Sequence, residues 1–190
     1  ILVMPEEEQI FLRYEAKNHD QLIERMKALK ALMTGESVIV IAPVSAAVKK
    51  ISPHDYYLEN VIKLVIGDDS DLDILREKLI SMGYEFSEMV ESQGQFSIRG
   101  GIIDIFAPDS DNPYRIELFG TEIDSIRTFD QDTQRSIENL KSVEIYPARQ
   151  LVASYDMLEA GCQAIRKEYE AQAKRLKDKS PQAADKLTEL

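Results

Sequence analysis

The sequence has 190 residues, of which 44% are hydrophobic and 30% charged, and its formal net charge is −11. These values exclude a globally disordered chain and suit one or two domains with real cores. The sequence contains neither a run of ~20 apolar residues that would span a bilayer nor a signal-peptide pattern, so no membrane partner is expected. The single cysteine, Cys162, excludes an internal disulfide and suits a cytoplasmic protein.

Residues 1–60 read as alternating strands and helices. A short strand is predicted over residues 10–14, and Asn18 with Gln21 resembles a capping box that opens a helix. The helix is supported by apolar residues at helical spacing: Leu22, Met26, Leu29 and Met33. Residues 37–42 predict a buried strand and residues 45–51 a short helix. This alternation is typical of a three-layer α/β domain, and because the chain opens at Ile1 in what reads as a strand, we expect a fragment that lacks the first half of that domain.

From residue 61 onward, the pattern changes to one helix followed by strands and turns. A strand is predicted over residues 62–66, and Ser70 with Asp73 is expected to cap a helix that stops at Gly83. Residues 95–146 read almost entirely as strands and turns, with a hairpin turn at residues 120–121. The segment is therefore predicted to be α+β, an antiparallel sheet with one helix. Residues 146–190 follow as mainly one long helix, over residues 155–179.

The negative charge is concentrated in the middle of the chain. Residues 61–145 carry 18 acidic and 8 basic side chains, whereas residues 1–60 carry nine and seven, and residues 146–190 seven and eight. Nucleic-acid binding depends on clustered Lys and Arg, so the acidic central segment is a poor match for DNA or RNA. A protein partner with a basic patch fits this segment better.

Catalytic and metal-binding motifs are not evident in the sequence. No glycine is followed by lysine, so a phosphate-binding loop is excluded, and His19 and His54 are isolated from other potential metal ligands. Asp104, Glu117 and Asp124 could be imagined as acid and base groups, but they alternate with apolar residues along strands. A solvated sheet face is the favoured interpretation of these three carboxylates. No enzyme activity and no cofactor or metal are expected.

The predicted strand 114–119 leaves an unusual combination on its polar face. Alternation places Arg115, Glu117 and Phe119 on that face, and Arg99 lies on a neighbouring strand. Arg99 is followed by two glycines, Gly100 and Gly101, whose missing side chains allow a bulge or close approach by another backbone. These residues fit a protein-docking surface, since Arg and aromatic residues are enriched at interface hot spots.

The same residues also have a purely structural interpretation. Arg99 and Arg115 would then pair across strands with Glu117 or Asp104, while Phe119 folds over the sheet edge. The alternation of side chains along the strands leaves both interpretations open.

Two longer motifs carry a family resemblance. Residues 96–106 read FSIRGGIIDIF and residues 114–120 read YRIELFG, and both resemble the UvrA-binding domain shared by UvrB and the transcription-repair coupling factors (Mfd). Residues 122–127, EIDSIR, and residues 129–135, FDQDTQR, are similar to the coupling factors and unlike UvrB. The flanks of these motifs also resemble the N-terminal UvrB-like region of the coupling factors.

The resemblance implies a non-catalytic module that recruits UvrA to nucleotide excision repair. The UvrA-contacting positions of the family carry over to Arg99, Arg115 and Phe119, with Gly100, Gly101 and Glu117 supporting them. In the parent protein, other domains are expected to bind DNA and to displace stalled RNA polymerase by ATP-driven translocation. A C-terminal domain of the same polypeptide is expected to mask the UvrA surface.

The resemblance also predicts the domain organisation. Residues 1–60 correspond to the later part of a helicase-like α/β domain 1a, residues 61–145 to an inserted UvrB-type domain 2, and residues 146–190 to the start of domain 1b. A dimer of the fragment through its incomplete core is a further expectation. A UvrB fragment, a nucleic-acid-binding module and an enzyme remain as alternatives.

Overall fold

The computed structural model describes residues 1–6, 19–153 and 155–179, and the chain divides into two compact units, residues 1–152 and residues 153–190. The first unit begins with β1 (Leu2–Val3), α1 (His19–Met33), β2 (Val40–Ile41), α2 (Val44–Ala47), α3 (His54–Glu59) and β3 (Ile62–Val65). It continues with α4 (Leu72–Ser81), β4 (Glu85–Phe86), β5 (Gln95–Arg99), β6 (Ile102–Phe106), β7 (Tyr114–Phe119), β8 (Glu122–Phe129), β9 (Ser136–Leu140) and β10 (Ser142–Ile145). The second unit contains α5 (Tyr155–Lys179), as predicted. The fold is mixed α/β and α+β, which agrees with the predicted class.

The α/β part of the first unit is built around α1. Its apolar stripe, predicted from helical spacing, packs Met26, Leu29 and Met33 against Tyr57 of α3. Strands β1 and β2 pair in parallel, with Leu2 opposite Val40. The predicted strand at residues 10–14 and the capping residue Asn18 lie outside the described residues.

Two predictions for residues 37–51 need correction. The expected buried strand over residues 37–42 is reduced to β2, whose Ile41 is exposed. Parallel strands become buried when other layers cover both faces, and β2 has β1 as its neighbour in a two-stranded sheet of the described residues. The helix expected over residues 45–51 is the shorter α2, which ends at Ala47.

The α+β part holds the largest core. Strands β4 to β9 form a six-stranded sheet in sequence order, antiparallel except for the parallel pair β4 and β5, and β10 pairs with β3 in a separate small sheet. One face of the large sheet packs against α4 through alternate residues of its strands. This core includes Leu75, Leu79, Phe96, Ile103, Ile105, Ile116, Ile123 and Ile126. The opposite face carries polar and charged side chains together with a second, small apolar cluster formed by Val90, Phe106 and Phe129.

Helix α4 begins one residue later than predicted. Asp71, and not Ser70, is the N-cap, and its carboxylate accepts hydrogen bonds from the backbone N–H groups of Asp73 at 2.9 Å and Ile74 at 3.2 Å. The backbone N–H of Ser70 instead donates to the carbonyl of Thr121 at 2.7 Å, which ties the helix entry to the β7–β8 turn. The predicted stop at Gly83 is confirmed by its φ of 90° directly after the last helical turn.

Helix α5 is the one described element of the second unit. It runs for 25 residues, and Cys162 is exposed on it. None of the helices within the described ranges is long and apolar enough to cross a membrane.

Candidate functional site

The polar face of the large sheet is defined here by Arg99, Asp104, Arg115, Glu117 and Arg127. Antiparallel pairing sets Asp104 opposite Arg115 and Arg115 opposite Arg127, so three charged residues lie in one row across β6, β7 and β8. Glu117 follows one strand repeat further along β7, opposite Ser125. The sheet register therefore places acidic and basic side chains together on this polar sheet face.

Asp104 is the centre of the polar sheet face. Its side chain is 1% exposed, and it accepts hydrogen bonds from Nη2 of Arg99 at 2.6 Å and from Nε of Arg115 at 2.7 Å, with Nη2 of Arg115 at 2.8 Å. A buried carboxylate is tolerated when it is paired and hydrogen-bonded in this way. The prediction that Asp104 lies on a solvated face is wrong, because two guanidinium groups from neighbouring strands cover it.

Arg115 is held by more partners than the sequence indicated. Its guanidinium stacks over the buried ring of Phe129 at 4.1 Å, and its Nη2 also donates to Oε1 of Gln134 at 2.8 Å. The pKa of Arg115 is raised, chiefly by the hydrogen bond to Asp104. Its side chain is 14% exposed, compared with 45% for that of Arg99. Arg115 is therefore mostly enclosed, whereas Arg99 reaches solvent.

Glu117 belongs to a second ion pair on the same face. Its carboxylate accepts hydrogen bonds from Nη2 of Arg127 and from Oγ of Ser125, the latter at 2.9 Å. The hydrogen bond from Arg127 is the main cause of the lowered pKa of Glu117. Glu117 lies on the predicted face, but Arg127, which sequence reasoning did not single out, is its partner.

Phe119 ends β7 with its ring in solvent. The residue is 85% exposed and lies opposite Glu122 at the start of β8. Alternation along β7 correctly predicted that Phe119 would avoid the core, and the alternative in which the ring folds over the edge is not observed. The structure thus combines the two interpretations: Arg99 and Arg115 pair internally with Asp104, while Phe119 is free to meet a partner.

The two glycines after Arg99 allow the β5–β6 turn to approach β7 closely. Gly100 lies in the β5–β6 turn with a φ of 61°. Gly101 has no side chain at the point where the carbonyl oxygen of Leu118 lies close to it. A Cβ on Gly101 would lie 2.7 Å from that oxygen, and the backbone N–H of Leu118 donates to the carbonyl of Gly101 at 2.7 Å. The predicted close backbone approach is confirmed at Gly101. It fixes the strand end from which Phe119 projects.

We expect Gly101→Ala to destabilise the chain by roughly 1–3 kcal/mol, since the new methyl group meets a backbone oxygen that cannot rotate away. Urea denaturation followed by circular dichroism measures the change. Gly161→Ala in α5 is the matched control, because a Cβ there meets nothing within 4 Å and alanine favours a helix. A midpoint for Gly101→Ala at or above the wild-type value would contradict the proposed crowding.

The other sequence candidates are not brought to this face. His54 hydrogen-bonds Asp55 at 2.9 Å and the carbonyl of Met33 at 3.0 Å, and its pKa is raised chiefly by Asp55. Asp124 is exposed at the irregular pairing of β7 with β8, and the side chain of His19 lies outside the described residues. Within the described ranges, no cluster of His, Cys, Asp and Glu is placed to hold a metal ion.

Comparison with known proteins places these features in a family context. Residues 62–151 match the family described as the UvrB interaction domain, a protein-interaction module. The full chain is 38% identical over 190 residues to the transcription-repair-coupling factor of Bacillus subtilis (strain 168), covering 16% of that protein. Over 158 residues, or 83% of the chain, it is 37% identical to the protein of the same name from Staphylococcus haemolyticus (strain JCSC1435), covering 13% of it. The chain thus spans less than a fifth of the length of these curated relatives.

Proposed function

We propose, on the premise that residues 62–151 of this chain belong to the UvrB interaction domain family, that the polar sheet face binds UvrA. The observation that carries the proposal is the exposed ring of Phe119 on the strand face that also carries Arg115, with Arg99 paired to the same carboxylate as Arg115. An aromatic ring with adjacent Arg side chains is the composition of an interface hot spot. The chain acts as a non-catalytic docking module.

The three site residues have different tasks in this proposal. Phe119 enters an apolar pocket of UvrA and supplies most of the contact area. Arg99 meets a carboxylate of UvrA with the part of its guanidinium that reaches solvent. Arg115 is assigned the same chemistry, but Asp104 and Gln134 occupy its Nε and Nη2 groups, which leaves Nη1 for the partner. The acidic surroundings favour approach of a partner with a basic rim.

The relatives that carry this segment support a proposed cellular role for the module. In transcription-coupled nucleotide excision repair, the module recruits UvrA in the cytoplasm. ATP-driven translocation on DNA and displacement of stalled RNA polymerase belong to other parts of the longer protein, and a C-terminal domain of that protein masks the polar sheet face before activation. No cofactor is assigned to the module. Two copies of the chain self-associate through exposed apolar residues near β2, such as Ile39 and Ile41.

The proposal is tested by calorimetric titration of purified UvrA with the 190-residue chain. The wild-type chain should bind saturably, and Arg99→Ala and Arg115→Ala should each weaken binding by roughly 1–3 kcal/mol. A DNA duplex, titrated in parallel at low salt, should give no binding because the domain is acidic. Absence of UvrA binding by the wild-type chain, or binding by both arginine variants that is as tight as that of the wild type, would overturn the assignment of this face.

A further inference from the structure

A compact loop joins β8 to β9 beside the polar sheet face. The carboxylate of Asp130 accepts hydrogen bonds from the backbone N–H and from Oγ1 of Thr133, both at 2.7 Å. The backbone N–H of Asp130 donates to the carbonyl of Arg135 at 2.9 Å, and that of Gln134 donates to the carbonyl of Asp130 at 2.8 Å. The loop is thus closed by its own hydrogen bonds.

Gln134 in this loop has an unusual backbone conformation. Its φ is 59°, and among the described residues it is the one non-glycine with a positive φ. Glycine adopts this region without cost, and asparagine more readily than glutamine. Strained conformations of order 1–3 kcal/mol persist where the surrounding structure holds them, and they concentrate at functional sites. A glutamine in this conformation therefore indicates that its side chain has a role that glycine could not fill.

The contacts of the Gln134 amide indicate what that role is. Its Oε1 accepts from Nη2 of Arg115 at 2.8 Å, and its Nε2 donates to the carbonyl of Gln131 at 2.8 Å. Both ends of the amide are used, so the loop fixes its orientation. Glycine would lack the amide, and asparagine would be one methylene too short to make the same two bonds. Phe129, the residue before the loop, is buried under the same guanidinium.

We infer that Gln134 is a positioning residue that holds the Arg115 guanidinium in the orientation presented to the partner, an inference that rests on the proposed binding of UvrA. Asp104 holds one edge of the guanidinium, Phe129 supports its plane, and Gln134 takes the second hydrogen of Nη2. Rotation about the terminal bonds of Arg115 would break this third contact. The loop between β8 and β9 thereby becomes part of the docking surface through Arg115.

A double-mutant cycle on the 190-residue chain tests this inference. Gln134→Gly removes the amide but relieves the strained φ, and since this relief offsets the two lost hydrogen bonds, we expect a folded chain. Its affinity for UvrA should fall roughly 3- to 10-fold, because the partner must then order the Arg115 side chain on binding. In an Arg115→Ala background, the same substitution should change the affinity by less than about twofold. Gln134→Asn, which tolerates the backbone conformation but is too short, should behave like Gln134→Gly.

Three results would overturn the inference. They are wild-type affinity in both Gln134 variants, an equal loss of affinity when Arg115 is already alanine, and an unchanged Nε–H signal of Arg115. That signal, followed by ¹⁵N NMR of the free chain, should broaden in Gln134→Gly because the guanidinium is less restrained. This readout does not involve UvrA, so a loss of order at Arg115 without UvrA binding by the wild type would count against the proposed partner and not against the positioning role.

Discussion

Replacing Phe119 by alanine is expected to weaken binding to UvrA by about 3 kcal/mol, or ~100-fold, the largest single effect on this surface. A buried aromatic side chain removes ~150–250 Å² from water, and the ring of Phe119 is 85% exposed before binding, so nearly all of that area is gained in the complex. Calorimetric titration with purified UvrA measures the change. The free energy of unfolding should stay within about 0.5 kcal/mol of the wild-type value, because the ring has little contact with the core.

Ile74→Ala provides a matched control for the loss of an exposed apolar side chain. Ile74 is 68% exposed on α4, which packs on the opposite face of the large sheet through Leu75 and Leu79. We expect wild-type affinity for UvrA from this variant. Equal weakening by Phe119→Ala and Ile74→Ala would mean that general surface hydrophobicity controls binding, and unchanged binding by Phe119→Ala would remove the anchor from the proposal.

Asp104→Ala is expected to lower the free energy of unfolding by about 3 kcal/mol, the lower end of the range for breaking a buried ion pair. The substitution leaves the mostly enclosed guanidinium of Arg115 without its carboxylate, while Arg99 can return to solvent. Asp104→Asn should cost less, since an amide oxygen still accepts one of the hydrogen bonds. Urea denaturation gives the stabilities, and titration with UvrA should show weaker binding by both variants.

Glu85→Ala is the control for Asp104→Ala. Glu85 pairs with Arg149 at 2.9 Å, but both side chains are more than half exposed, with 64% and 52% of their surface in solvent. Exposed pairs of this kind contribute ~0–1 kcal/mol. If Asp104→Ala were no more destabilising than Glu85→Ala, the carboxylate of Asp104 would not organise the polar sheet face.

Sequence periodicity predicted which face each residue of β7 occupies but not what lies against it. The placement of Arg115, Glu117 and Phe119 opposite the core is confirmed, because side-chain direction along a strand follows from backbone geometry. Asp104 was expected in solvent because alternation says nothing about neighbouring strands. A β5–β6 turn at Gly100 and Gly101 fixes a strand register that places Asp104 within reach of Arg99. The two glycines were therefore the sequence feature that could have predicted this ion pair.

The other differences between the sequence-based predictions and the structure are explained by tertiary context and by backbone conformation. The β-branched run before Pro43 indicated a strand, but propensity cannot tell whether other layers cover it, and β2 is short and exposed. Asp71 and Ser70 are both good capping residues. The backbone N–H of Ser70 donates to the carbonyl of Thr121 in the β7–β8 turn, and the helix is capped by Asp71. The positive φ of Gln134 had no signal in the sequence, since glutamine is not typical of that region.

The carboxylate beneath Arg99 and Arg115 also changes the entropy of recognition. An arginine side chain free in solvent loses ~2 kcal/mol of rotamer entropy when a partner immobilises it. Here Asp104 restricts both side chains while the chain folds, before any encounter takes place. The guanidinium groups therefore meet a partner as rigid, preorganised features, and association has little further ordering of these two side chains to accomplish.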